Sequence, residues 1–191
     1  GYSAPDHPVQ PRLIALIGAL RGVDLSYTAR RIDGCGIPVF GMPLAAVARA
    51  MANLADPADL SAPLQAAAKR IVAACAAHPL MLAGTDTFNS TVLAETGPRA
   101  LIKGGAEGVY TAALPELGLG VCVKADDGAA PHDDSRVRPG AAAAALETLG
   151  LGGELFHAIL AGTHALSAPT QQRSVWQTSS AVPVSYTHLR A

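Results

Sequence analysis

Ile102-Lys103-Gly104-Gly105-Ala106-Glu107-Gly108-Val109-Tyr110 decides how the chain is read. A short apolar run, Ala100 to Ile102, leads into Lys103. Two glycines, a carboxylate and a third glycine follow, and then an apolar run resumes as a second strand. Glycine serves where another group must come close to the backbone, and within a strand pattern it marks a bulge or a ligand's approach. A lysine held at such a place can act as a base once it is desolvated. The plainer reading is a strand-end lysine in solvent beside a glycine-rich bend.

Working outward, Leu119, Val121 and Val123 alternate with Gly120, Cys122 and Lys124, the pattern of a half-buried strand. Pro115 to Gly118 is a short hairpin connection. The spacing therefore predicts three strands, at about 99–103, 107–114 and 119–124, in an antiparallel meander. Upstream the period is helical. Asp6-His7-Pro8 opens a helix with Leu13, Leu16, Ile17 and Leu20 on its apolar face. Residues 29–33 read as a short strand entering a loop, Gly34-Cys35-Gly36-Ile37-Pro38. Pro43 starts a second helix with Leu44, Val47, Met51 and Leu54 in register. A third, capped near Asp59 or Ser61, runs to His78-Pro79, and a fourth, capped near Gly84-Thr85-Asp86, covers 87–95. Helices first and strands after make an α+β pattern, an antiparallel sheet with packed helices, and not a run of βαβ units.

After Asp126-Asp127-Gly128, residues 131–139 are polar and irregular, and 141–149 and 154–160 read as closing helices. Beyond Gly162 the periodicity is lost in a Ser/Thr/Gln-rich stretch that carries the lone Trp176. The division read from this is a domain over 1–161 and an irregular tail over 162–191. The final residues, Ser185 to Ala191, resemble translated sequencing-adapter read-through more than native protein.

Composition narrows the function classes. Half of the 191 residues are hydrophobic, which is enough for a sizeable core. The net charge of −1 and the 4% aromatic content point away from nucleic acid and from anionic membrane surfaces. No apolar run approaches the roughly 18 residues of a membrane helix. The start, Gly1 to Asp6, is polar and has no basic n-region, so no secretion signal is read there. It also has no initiator methionine, so the chain reads as beginning inside a longer protein. Three widely separated cysteines, Cys35, Cys75 and Cys122, suit a reducing cytoplasm better than a disulfide framework.

The residues that could carry chemistry are few. Cys35, flanked by two glycines, is either a thiolate for metal binding or attack, or a small buried hydrophobe in a tight loop. It has no cysteine or histidine at metal-ligand spacing nearby. Asp33 is either a turn-former or a carboxylate presented to a site. Cys75 and Cys122 read as core, His78 as a helix C-terminal charge, and Ser90 and Thr91 as mid-helix hydroxyls satisfied on backbone carbonyls. S-x-x-K, G-x-S-x-G, H-E-x-x-H and phosphate-loop motifs are all missing.

Taken in order, several short motifs together resemble one family. They are Tyr2 with Asp6-His7-Pro8-Val9-Gln10, Ile32-Asp33-Gly34-Cys35-Gly36-Ile37-Pro38, Pro43-Leu44, Ala77-His78-Pro79, Ala83-Gly84, Lys103-Gly104-Gly105-Ala106-Glu107-Gly108-Val109-Tyr110 and Lys124-Ala125-Asp126-Asp127-Gly128. The set is similar to the L-asparaginase II family, the Rhizobium etli-type or class 3 asparaginases. The resemblance covers residues 1–128 well and the closing helices loosely.

The resemblance implies a β-lactamase/glutaminase-like fold and hydrolysis of L-asparagine to L-aspartate and ammonia. It implies two serine–lysine pairs, with a zinc ion held nearby by two cysteines and a lysine. Lys103 matches the lysine of the second pair, in the place of the K-T-G lysine of β-lactamases. Cys35 matches a zinc-ligand cysteine, and Asp33 an aspartate near metal and substrate. Gly104, Gly105 and Glu107 then border the substrate along the strand edge. The family's serines, its first lysine and its other two zinc ligands match positions upstream of residue 1. The chain accordingly reads as a carboxy-terminal half, a partial domain inactive by itself. After Asp126-Asp127-Gly128 it departs from the family's arginine-alanine pair and regular helix. The resemblance also implies a cytoplasmic homodimer acting on a small molecule. Two rival readings stay open, a non-catalytic fragment or binding module and a glutaminase-like serine acyl hydrolase.

Overall fold

The structure, a computed structural model, describes residues 1–85, 87–106, 109–124, 137–151 and 189–190. Helix α1 spans Val9–Arg21, α2 Leu44–Ala55, α3 Ala62–Ala77, α4 Pro79–Ala83, α5 Phe88–Thr96 and α6 Val137–Thr148. The small strands β1 (Arg30–Ile32) and β2 (Pro38–Phe40) pair as an antiparallel hairpin. The main sheet holds β3 (Leu101–Gly104), β4 (Val109–Leu114), β5 (Leu119–Lys124) and β6 (Leu189–Arg190), antiparallel throughout and in that order. The fold is α+β, and the three strands read from alternation are in place. Of the tail read as irregular, the described residues are β6; the helix read over 154–160 lies outside the described residues.

The sheet is covered on both faces, and its pleat decides what each face receives. Register aligns Leu101 with Ala113 and Ala113 with Gly120; Ile102 faces Ala112, which faces Val121. Ile102, Tyr110, Ala112, Val121 and Val123 point one way and join Val92 and Leu93 of α5 and Ala142, Ala143, Ala145 and Leu146 of α6 in the larger core. Leu101 and Ala113 point the other way and meet Met51 of α2, with Leu54, Val72 and Cys75 packed around them. Burying Leu93, Ile102 or Leu146, each at most 1% exposed, contributes roughly 1.5–3 kcal/mol.

Helix α2 approaches the sheet closely because its sequence is alanine-rich and because β5 carries Gly120. A Cβ on Gly120 would lie 1.9 Å from the Ala48 carbonyl oxygen and 2.2 Å from the Ala52 nitrogen. Helix backbone thus rests directly on strand backbone. Asp56, just past α2, lies beside Gly118, so the helix runs antiparallel to β5.

Local signals explain most boundaries and some differences from the sequence reading. Helix α1 begins at Val9 and closes at Gly22 in the left-handed conformation, whose N–H donates to the Gly18 carbonyl. Its apolar stripe is only partly used. Leu13 and Leu16 stay 40% and 38% exposed, whereas Gln10 is buried and donates from Nε2 to the Tyr2 carbonyl (2.6 Å). Thr87 caps α5 by accepting from the Ser90 N–H, in place of the Gly84–Asp86 stretch read as the cap. Ser90 and Thr91 satisfy themselves as expected, on Gly84 (2.6 Å) and Thr87 (2.9 Å) carbonyls. Strand β2 and the one-turn α4 were not read from the sequence. Among the described residues, no helix is long and apolar enough to cross a membrane.

Replacing Gly120 by alanine should destabilise the protein by at least about 3 kcal/mol, since neither backbone can yield a Cβ's width. Gly34→Ala, where nothing lies within 4 Å of the added Cβ, serves as the control and should change stability little. Urea unfolding of both variants checks this. Equal midpoints for the two would place α2 elsewhere.

Candidate active site

Lys103 ends the apolar part of β3, and the pleat turns it to the α2 face. Its side chain is exposed, and Nζ donates to the neighbouring Gly104 carbonyl (2.5 Å). The glycines after it have structural work. The Tyr110 ring lies so close to Gly104 that a Cβ there would sit 3.2 Å from it, and that ring also meets Phe88 edge-on at 5.6 Å. The Gly105 N–H donates to the Val109 carbonyl (2.7 Å), closing the bend. Glu107, read as a substrate contact, lies outside the described residues, as does Gly108.

Asp33 and Cys35 lie together at the tip of the β1–β2 hairpin. Asp33 Oδ1 accepts from the N–H groups of Cys35 (2.9 Å) and Ile37 (3.1 Å). The Asp33 N–H donates to the Ile37 carbonyl, and its own carbonyl accepts from Gly36, both at 3.0 Å. The carboxylate thus builds the turn, one of the two readings its sequence allowed. It also presents Cys35, which is exposed. The hairpin shares no substantial interface with β3 or β4, so Asp33 and Cys35 form one group and Lys103–Gly105 another.

Among the described residues, no three His, Cys, Asp or Glu side chains converge in a way that could hold a metal. Cys35 stands as a single donor at a hairpin tip. The described residues do not by themselves fit a zinc ion.

Sequence reasoning missed the neighbours that register gives Lys103. Thr111 faces Lys103 across β3 and β4, and Cys122 faces Thr111 across β4 and β5. Thr111 Oγ1 donates to the Lys103 carbonyl (3.1 Å). Cys122 is buried, and burial pushes its thiol pKa up, opposed by the Arg21 guanidinium that reaches it from the end of α1. Arg21 has its own pKa lowered, by the same partial burial. Lys103, Thr111 and Cys122 make one row across the sheet. The tight connection at 115–118 was the signal that could have located it, because pairing Leu114 with Leu119 already sets Thr111 against Cys122.

The profile of the L-asparaginase II family matches residues 1–178. The chain belongs to that family, whose members act on a small-molecule substrate. A search of curated proteins found no match.

Reactivity of the three thiols should follow their settings. Alkylation with iodoacetamide, read by peptide mass spectrometry, should modify Cys35 first. Cys75 and Cys122 should lag, because burial raises both pKa values and limits access. Cys122 labelling as fast as Cys35 in the folded protein would contradict the placement of β5 under α2.

Proposed function

We propose that this member of the L-asparaginase II family is an amidohydrolase that converts L-asparagine to L-aspartate and ammonia, with Lys103 as its general base. The family match over residues 1–178 carries this reading. The position of Lys103 supports it. The lysine lies near the end of β3, an edge strand whose Leu101 and Ile102 are buried, with its amine outside the apolar core and beside the glycine bend.

In this reading, Nζ of Lys103 takes the proton of a hydroxyl group while that oxygen bonds to the side-chain amide carbon of asparagine. The carbon–nitrogen bond then breaks. The amide nitrogen leaves as ammonia and takes its proton from Lys103. Water next adds to the ester carbon, its proton passing through the same amine. The ester carbon–oxygen bond breaks, restoring the hydroxyl and releasing aspartate. Thr111 is the nearest hydroxyl by register, but it donates to the Lys103 carbonyl and holds β3 to β4. We therefore assign it to positioning Lys103 and not to attack.

Gly104 and Gly105 border the substrate in this reading by leaving the edge of β3 without side chains. Glu107, outside the described residues, is assigned to the substrate's ammonium. Asp33 and Cys35 are assigned to a neighbouring part of the site, Cys35 as one zinc ligand whose partners are not among the described residues.

Ammonia release from L-asparagine is the direct test. Lys103→Ala should reduce kcat by at least roughly a hundredfold, the usual contribution of a positioned acid–base group, with an unchanged urea midpoint because no core volume is lost. Rates within a few-fold of the unmodified protein would remove Lys103 from the chemistry. Release of ammonia from L-glutamine at the higher kcat/KM would make the protein a glutaminase-like acyl hydrolase instead.

A further inference from the structure

A cavity to which Lys103, Thr111 and Cys122 do not contribute lies where the end of α1 meets α2 and the loop leading to α3. It measures about 220 Å³, and Gly22, Arg49, Asn53 and Asp59 line it. That is below the roughly 300 Å³ at which sites for drug-sized ligands begin, so its occupant is small.

Its walls are fixed from three sides. Asn53 Nδ2 donates to the Leu20 carbonyl (2.7 Å), tying α1 to α2 and leaving Oδ1 as an acceptor. Gly22, with φ of +63°, brings backbone against the Arg49 guanidinium; a Cβ there would lie 2.6 Å from an Arg49 terminal nitrogen. The loop that carries Asp59 is clamped by Gln65, whose Nε2 donates to the carbonyls of Ala58 (3.0 Å) and Leu60 (2.8 Å), on either side of it. The Leu60 N–H also donates to the Pro57 carbonyl (3.0 Å), and Ala58 N–H to Asp56 Oδ1 (3.2 Å).

The two charged groups lining the cavity do not pair with each other. Arg99 pairs with Glu116 on another part of the surface. Among the described residues, the Arg49 side chain donates no hydrogen bond and the Asp59 carboxylate accepts none. Arg49 and Asp59 are exposed and Asn53 is half-buried, so a guanidinium, a carboxylate and an amide together line a site open to solvent. A guanidinium is suited to a carboxylate, and carboxylate with amide oxygen to an ammonium.

We propose that the cavity lined by Arg49, Asn53 and Asp59 is a binding site for a small zwitterionic α-amino acid. Arg49 takes the α-carboxylate, and Asp59 with Asn53 Oδ1 takes the α-ammonium. The site is separate from Lys103, so it concerns binding of an amino acid and not its hydrolysis. It does not depend on the activity proposed above.

The test is a titration of the isotopically labelled chain followed by NMR at the Gly22 backbone amide and the Asn53 side-chain amide. L-Alanine is the probe, because it has no amide to hydrolyse and so does not depend on the Lys103 chemistry. Saturable shifts at both groups are expected. Propionate, which lacks the ammonium, and ethylamine, which lacks the carboxylate, should each bind at least about tenfold more weakly, the loss of one charge-assisted contact. Arg49→Gln and Asp59→Asn should each weaken L-alanine by a similar factor and leave ammonia release from L-asparagine unchanged. No saturable shift at Gly22 and Asn53 would overturn the proposal. So would propionate binding as tightly as L-alanine, or either variant binding like the unmodified chain.

Discussion

Direct backbone contact between α2 and β5 at Gly120 is the constraint on which the rest of the structure depends. With any side chain at 120, the helix would have to lift away by the width of a methyl group or more. The α2 sequence matches that closeness. Ala46, Ala48, Ala50 and Ala52 are buried, and Met51 reaches into the small core with Leu101 and Ala113, with Leu54 packed beside it. Small side chains give up buried area, but they allow a thin, stiff layer. This layer leaves room on the outer side of α2 for α1, joined to it through Asn53 and Leu20.

The two faces of the sheet consequently do different work. The face toward α5 and α6 is apolar along its length, from Leu114 through Ala112 to Tyr110, and supplies most of the burial. The face toward α2 changes character along the strands. Leu101, Ala113 and Gly120 lie under the helix, and one pleat further come Lys103, Thr111 and Cys122. A polar row can exist there because the apolar face alone provides a sufficient core. The lysine costs little where it stands, since its amine reaches solvent while its strand is held from behind.

The main sheet was legible because its signals are local and periodic: alternation in 119–124, a proline-led connection at 115–118, and glycines closing the bend after Lys103. The helices of the first half were legible for the same reason. What escaped was pairing at a distance. Strand β2 is only Pro38 to Phe40, too short to show a period, and it is defined by β1 opposite it. Helix α1 has four leucines or isoleucines at helical spacing, yet Leu13 and Leu16 are exposed. Its buried residue is Gln10, whose amide is satisfied by a carbonyl eight residues back, a contact no amphipathic pattern encodes. At the candidate site, Lys103 and its glycine bend were legible from the local order of residues. The row it shares with Thr111 and Cys122 required two registers at once. Asp33 was ambiguous in sequence because turn-forming and substrate-facing aspartates look alike; its two backbone N–H donors settle the turn.

The direction of α2 bears on what the Lys103 row can meet. Asp56, at the end of the helix, lies by Gly118, and Ala48 and Ala52 lie over Gly120, so the helix start points toward the Cys122 and Lys124 end of β5. That start has no side-chain cap, and no acidic residue lies in its first turn. The unpaired N–H groups of a helix start carry partial positive charge. Among the described residues, Lys124 and the half-buried Arg21 lie at the same end, with the same sign as the helix start. The opposite end of the same face, under the body of α2, is apolar. A positive end of this kind favours an anionic group over a neutral or cationic one. The alanine-rich close packing at Gly120 therefore does more than hold two layers together. By fixing which end of α2 faces the row, it sets the sign of the field that a substrate would meet.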